Sequence, residues 1–298
     1  MGKHLLITGV NGLLGQNIVK EFGHDHQLSG MDISPGIYDN HAVRVFQQDL
    51  SDLEALKQQT MSLRPDAIFH LAAYTNVDRA ESEQDLAYAI NAAVPEKLAD
   101  ICTELDIPLI HISTDYVFSG EDGPYREEDP CDPRGVYAQS KYAGEHAVAS
   151  SSCKHAIVRP NVLYGHGYEL KSSFVDWLIN ELEAERPVRI VTDQYSNPTY
   201  ARRLVQVIRT ILEEEAWGTW HFGSLEVVSR YDFAQEIAEV FGLRTDLINA
   251  ISTSDLNQAA PRPMQCGLVC DKIKEILGVN ILNMHEELLL LKEERNAS

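Results

Sequence analysis

Three glycines, Gly9, Gly12 and Gly15, separate an apolar run, His4 to Thr8, from an amphipathic stretch, Leu13 to Phe22. A strand, a glycine turn and a helix in that order open a βαβ unit and demand a parallel sheet covered by helices. The N-terminus of such a helix presents unpaired N–H groups and the positive end of its dipole, and glycines let a pyrophosphate reach them. The G-x2-G-x2-G spacing therefore points to a dinucleotide, with Asn11, Leu13 and Leu14 of the same loop counted among its contacts.

The same alternation continues along the first half. Strands are expected at residues 27–31, 43–46, 67–72, 109–113 and 156–159, with helices at 51–61, 87–105 and from Tyr137 onward. After Pro160 the texture changes: Pro, Gly and aromatic residues interrupt it at 161–165, 193–199 and 259–264, between helices at 173–185, 201–214, 231–241 and 286–294. The expectation is an α/β chain, a doubly wound parallel sheet of Rossmann type with a smaller, discontinuous substrate-binding lobe. Residues 1–160 and about 201–225 would form the dinucleotide-binding domain, and about 161–200 and 226–298 the lobe. Leu288 to Leu291 reads either as a partner face or as part of a packed terminal helix.

Bulk properties narrow the function. The 298 residues, 44% hydrophobic, suffice for a large core. No apolar run approaches the roughly 18 residues of a membrane span, and no signal peptide is read before the first strand. Five cysteines, odd in number and scattered, fit a reducing compartment, so a cytoplasmic location is expected. Cys266-x3-Cys270 lacks a second ligand pair, and no metal is assigned. A formal charge of −20 argues against nucleic acid and anionic membranes as partners. An anionic small molecule would need a local cation, for which Arg262 is the choice, with a surface salt bridge as its alternative.

The chemistry concentrates in a few positions. Asp32, ending the second strand, is placed to accept hydrogen bonds from the adenosine ribose, which favours NAD(H), with NADP(H) retained; a loop-starting aspartate is the plainer reading. Asp49 and Leu50 end the next strand and are expected beside the adenine. Ser113-Thr114-Asp115 closes the fifth strand, at the carboxyl edge where ligands gather in open α/β sheets. A hydroxyl there, Thr114 first and Ser113 second, can donate to a carbonyl; Asp115 would meet a sugar hydroxyl or cap a helix. Tyr137 and Lys141, four residues apart, share one helix face. A lysine ammonium beside a tyrosine favours the phenolate and lowers its pKa from about 10, which suits it to proton transfer during carbonyl reduction.

These residues resemble the extended short-chain dehydrogenase/reductases, and within them the dTDP-4-dehydrorhamnose reductases. The likeness spans nearly the whole chain and rests on segments 70–82, 113–120, 193–199 and 218–223, with Arg262-Pro263. It implies NAD(P)H-dependent reduction of the 4-keto group of a nucleotide sugar, with Thr114, Tyr137 and Lys141 catalytic. Leu71, Ala72, Ala73 and Tyr74 would line the cofactor together with Ser113. Thr75, Val77, Asp115, Asn161 and Arg262 would meet the nucleotide sugar, and a homodimer is the implied assembly. The tryptophan common in that family after the sixth strand is absent from Arg159 to Gly165. The chain is also similar to the regulatory β subunit of methionine adenosyltransferase, a non-catalytic NADP-binding partner that tends to carry serine where Thr114 stands.

Overall fold

The computed structural model of the chain describes residues 2–38, 43–168 and 173–297. Its first strand, β1 (His4–Thr8), is hydrogen-bonded on both sides, by β2 (Gln27–Asp32) and by β4 (Ala67–His70). With β3 (Arg44–Gln47), β5 (Leu109–Ile112), β6 (His155–Pro160) and β7 (Gly218–Phe222), these build a seven-stranded sheet in the order β7-β6-β5-β4-β1-β2-β3. Every pairing is parallel. Strand order reverses between β1 and β4, so the crossovers diverge there and leave a crevice at the carboxyl edge.

The longer helices are α1 (Leu13–Phe22), α2 (Leu53–Leu63), α3 (Val94–Leu105), α4 (Gly135–Ser150), α5 (Phe174–Glu183), α6 (Ala201–Glu213), α7 (Arg230–Phe241), α8 (Asp271–Leu277) and α9 (Met284–Asn296). Ile18 of α1, Leu204 and Ile208 of α6 and Ile273 of α8 pack with Leu5 and Ile7 on one face of the sheet. Leu56, Leu98 and Val148, from α2, α3 and α4, pack with Leu6 and Ile68 on the other. Burial on both faces accounts for the uninterrupted apolar character of these strands. A separate cluster joins α5, α7 and α9 through Leu178, Ile237, Leu288 and Leu291, with Tyr164 and Tyr200. Leu288 and Leu291 are fully buried there, so the terminal helix is packed on its own chain.

Three features depart from the sequence reading. Residues 87–105 are not one regular helix: Gln84–Tyr88 runs into a π turn, Ala89–Ala93, before α3. Asn91 within that turn donates to the Tyr74 carbonyl and to Ser140 Oγ and accepts from the Tyr74 N–H. Such side-chain competition for the backbone is invisible in apolar periodicity. The strand β7 was not anticipated, since Gly-Thr-Trp-His-Phe lacks an apolar run. Finally, α8 lies within residues 226–298 yet packs against β7, with Ile273 fully buried in the sheet's own core.

Gly144 stands where α4 crosses the π turn, and a Cβ there would lie 2.1 Å from the Asn91 carbonyl oxygen. Gly144→Ala should therefore destabilise by about 1–3 kcal/mol, the cost of overpacking, read from the urea unfolding midpoint. An unchanged midpoint would show that this crossing tolerates a wider helix.

Candidate active site

The crevice is a cleft of about 1040 Å3 lined by the ends of β1, β2, β5 and β6 and by segments of the lobe. Gly9, Asn11, Gly12, Leu13, Leu14 and Gly15 line it, as do Asp32, Leu71, Ala73, Thr75, Val77, Ser113, Thr114, Asp115, Tyr137, Lys141 and Asn161. Asp49, Leu50, Ala72, Tyr74 and Arg262 do not. Asp49 accepts from Ser51 N and Oγ in its own turn, and Leu50 is buried in the core beneath. Ala72 N donates to Thr8 Oγ1, and the Tyr74 hydroxyl donates to Glu83. Arg262 is bound to Asp78 at 2.7 Å, the salt-bridge alternative of the sequence reading.

The glycine loop has the geometry a pyrophosphate needs. Gly9 adopts φ of 70° and a Cβ there would meet Ala72 N at 2.8 Å, so the turn closes against the segment after β4. Gly12 caps α1 without a side-chain hydrogen bond, leaving the first-turn N–H groups of the helix for a ligand. Asp32 sits at the far end of the loop, accepting from Asn11 N at 3.1 Å and from Ser34 N and Oγ at 3.1 and 2.9 Å. Ser113 Oγ and Asn161 Oδ1, both in the lining, are buried with no partner among the described residues. Orphaned buried polar atoms call for one. Together these features fit a nicotinamide dinucleotide.

Tyr137 and Lys141 emerge from α4 on one face, and the next residue of that face is Glu145. Glu145 is locked to Arg159 of β6 through Arg159 Nε to Oε1 at 2.9 Å and Nη2 to Oε2 at 2.6 Å, both side chains almost fully buried. Lys141 Nζ donates to the Ile112 carbonyl at 2.8 Å. Burial depresses its pKa to about 8, opposed by the Glu145 carboxylate. Tyr137 differs from expectation: burial raises its pKa, with Asp115 and Tyr116 adding to the rise. The phenol is thus neutral, with its proton in place.

The sequence reading passed over Arg230, the first residue of α7, which lines the cleft. Its guanidinium lies 4.8 Å over the Phe174 ring and faces Asp115 and Tyr116. Burial holds its pKa below the ordinary arginine value, against the opposing influence of Tyr116 and Asp115. A cation in the first turn of a helix opposes the helix dipole.

Residues 3–295 match the family model described as the RmlD substrate binding domain. The chain is 33% identical to the probable low-salt glycan biosynthesis reductase Agl14 of Haloferax volcanii, over 97% of each chain. It is 32% identical to methionine adenosyltransferase 2 subunit beta of Mus musculus, over 93% of this chain and 83% of that one. Among solved structures it resembles the dTDP-4-dehydrorhamnose reductase of Bacillus anthracis in complex with NADP, at 30% identity and a TM-score of 0.87, covering 99% and 100% of the two chains.

Lys141 should lose its proton near pH 8 in the free protein, followed by NMR of its Cε carbon. Because Glu145 is the group that raises this pKa, Glu145→Gln should move the transition downward. An upward or absent movement would separate Lys141 from the pair behind it.

Proposed function

The chain belongs to the RmlD substrate binding domain family, and on that premise we propose that it reduces the 4-keto group of a nucleoside-diphosphate 4-keto-6-deoxysugar. It is an NAD(P)-dependent oxidoreductase, and dTDP-4-dehydrorhamnose, giving dTDP-rhamnose, is the substrate we assign first. The observation that carries this proposal is the meeting of the glycine loop with Thr114, Tyr137 and Lys141 in one cleft. The bound nicotinamide supplies hydride to the sugar carbonyl. Gly9, Gly12 and Gly15 with the α1 N-terminus would hold the pyrophosphate, and Asp32 the adenosine ribose, where its carboxylate disfavours a 2′-phosphate.

The neutral Tyr137 phenol donates its proton to the oxygen at C4, and the ammonium of Lys141 one turn away stabilises the phenolate left behind. Thr114 orients the carbonyl. Arg230 takes the place first given to Arg262 as the cation facing the sugar diphosphate, because Arg262 is already committed to Asp78. Residues 161–200 and 226–298, apart from the returning α8, would supply the nucleotide-sugar lobe, and two copies would form the working assembly.

The likeness to methionine adenosyltransferase 2 subunit beta favours a second reading, a cofactor-binding regulatory partner. Ser113-Thr114-Asp115 favours the reductase, since it places a threonine hydroxyl beside Tyr137.

Tyr137→Phe should lower kcat by about 10²–10⁴-fold, the usual contribution of a positioned acid. Cofactor Kd should stay within about twofold, as expected when the lost interaction is made only in the transition state. Nicotinamide absorbance with dTDP-4-keto-6-deoxysugar reads the first, and fluorescence titration the second. Wild-type rates in the variant would exclude Tyr137 as the proton donor.

A further inference from the structure

Thr114 has a single hydroxyl proton, and that proton is already engaged. Thr114 Oγ1 donates to Asp115 Oδ1 at 3.0 Å and accepts from Tyr116 N at 3.3 Å, and Tyr137 lies within hydrogen-bonding reach of it. A threonine hydroxyl offers one donor and two acceptor positions. The donor needed by a substrate carbonyl is therefore held by the neighbouring carboxylate.

We propose that Asp115 is a positioning residue that sets the direction of the Thr114 hydroxyl, and so decides whether Thr114 or only Tyr137 donates to the substrate carbonyl. An ionised carboxylate only accepts and keeps the Thr114 proton; a protonated carboxyl competes for it weakly and can itself donate. The inference rests on the reductase function proposed above and adds a control of the same site that the serine/threonine, tyrosine and lysine roles do not contain.

The surroundings place this control within reach of ordinary pH. Asp115 is buried, and burial pushes its carboxyl up to about 6 against the hydrogen bonds from Thr114 and Cys266 and the charge of Arg230. Besides Thr114 from its own segment, the groups facing it are Tyr116, Tyr137 of α4, Cys266 beside the cleft and Arg230 of α7. Cys266 donates to the Asp115 backbone carbonyl at 3.1 Å and holds the segment in place. Tyr116 stands edge-on to Tyr137, ring centroids 5.6 Å apart, and packs against the phenol. The sign follows directly. Below about pH 6 the carboxyl is neutral and Thr114 is free to donate; above it the proton is held and kcat falls to the level Tyr137 alone supports.

The test is the pH dependence of kcat and KM from pH 5 to 7.5 for the wild type, Asp115→Asn and Thr114→Val, with dTDP-4-keto-6-deoxysugar and saturating cofactor. We expect wild-type kcat to decline by roughly 10-fold as pH rises through this window, a part of the 10²–10³-fold that deletion of a whole oxyanion donor removes. In Asp115→Asn the decline should vanish with kcat near the acid-side value, and Thr114→Val should be slow and flat. Thr114→Ser, which keeps the hydroxyl, should retain the decline, so the comparison survives a poorly folded Asp115 variant. A raised KM in Asp115→Asn with the wild-type kcat profile would overturn the proposal and make Asp115 a simple sugar ligand. A flat wild-type kcat would overturn it also. A wild type that turns over no 4-keto sugar would instead refute the reductase function, and this control with it.

Discussion

The buried ion pair between Glu145 and Arg159 is the joint on which the site depends. It ties the middle of α4 to β6, and α4 carries Lys141 one turn and Tyr137 two turns before it. Breaking a pair of this kind from one side costs about 3–5 kcal/mol, because the remaining charge is stranded. Arg159 has further partners in the Glu127 carbonyl and His221, and it stacks over Phe118. The joint thereby extends to β7 and to the loop before α4. On an adjacent face, α4 meets the π turn through Gly144, and Asn91 bonds Ser140. Clamped on two sides, the helix presents Tyr137 and Lys141 to the cleft at a fixed height.

Burial then sets the protonation of the site. It raises Tyr137 and Asp115 and lowers Lys141, since burial penalises each charged form. The result is an acid with its proton in place, beside a lysine whose charge is supported by Glu145. The chain is strongly acidic, yet Arg230 puts a cation in the cleft wall. Net charge describes solubility and long-range steering; the local charge at Arg230 is what an anionic ligand would meet.

Much of this was legible in the sequence where local physics decides it. β1, α1 and β2 follow from apolar runs punctuated by glycine, and the i, i+4 spacing of Tyr137 and Lys141 places both in the cleft. The rest depends on tertiary placement. The π turn arises from Asn91 bonding to Tyr74, and β7 is a strand because it pairs with β6, its His221 buried by Arg159 and Tyr125. Arg230 and Arg262 look alike in sequence; only the fold pairs one with Asp78 and turns the other to the cleft. The expectation that Lys141 lowers the Tyr137 pKa omitted the cost of burying both groups.

The family comparison supports a reductase without specifying the sugar, since a glycan biosynthesis reductase and a dTDP-4-dehydrorhamnose reductase are similar to this chain at comparable identity. The most direct measurement is isotopic. Incubation with 4,4-dideuterated NADH or NADPH and dTDP-4-dehydrorhamnose, followed by NMR of the purified sugar nucleotide, should place one deuterium on C4 of a dTDP-6-deoxyhexose. Tight cofactor binding with no deuterium in any sugar nucleotide offered would contradict a catalytic role for the cleft.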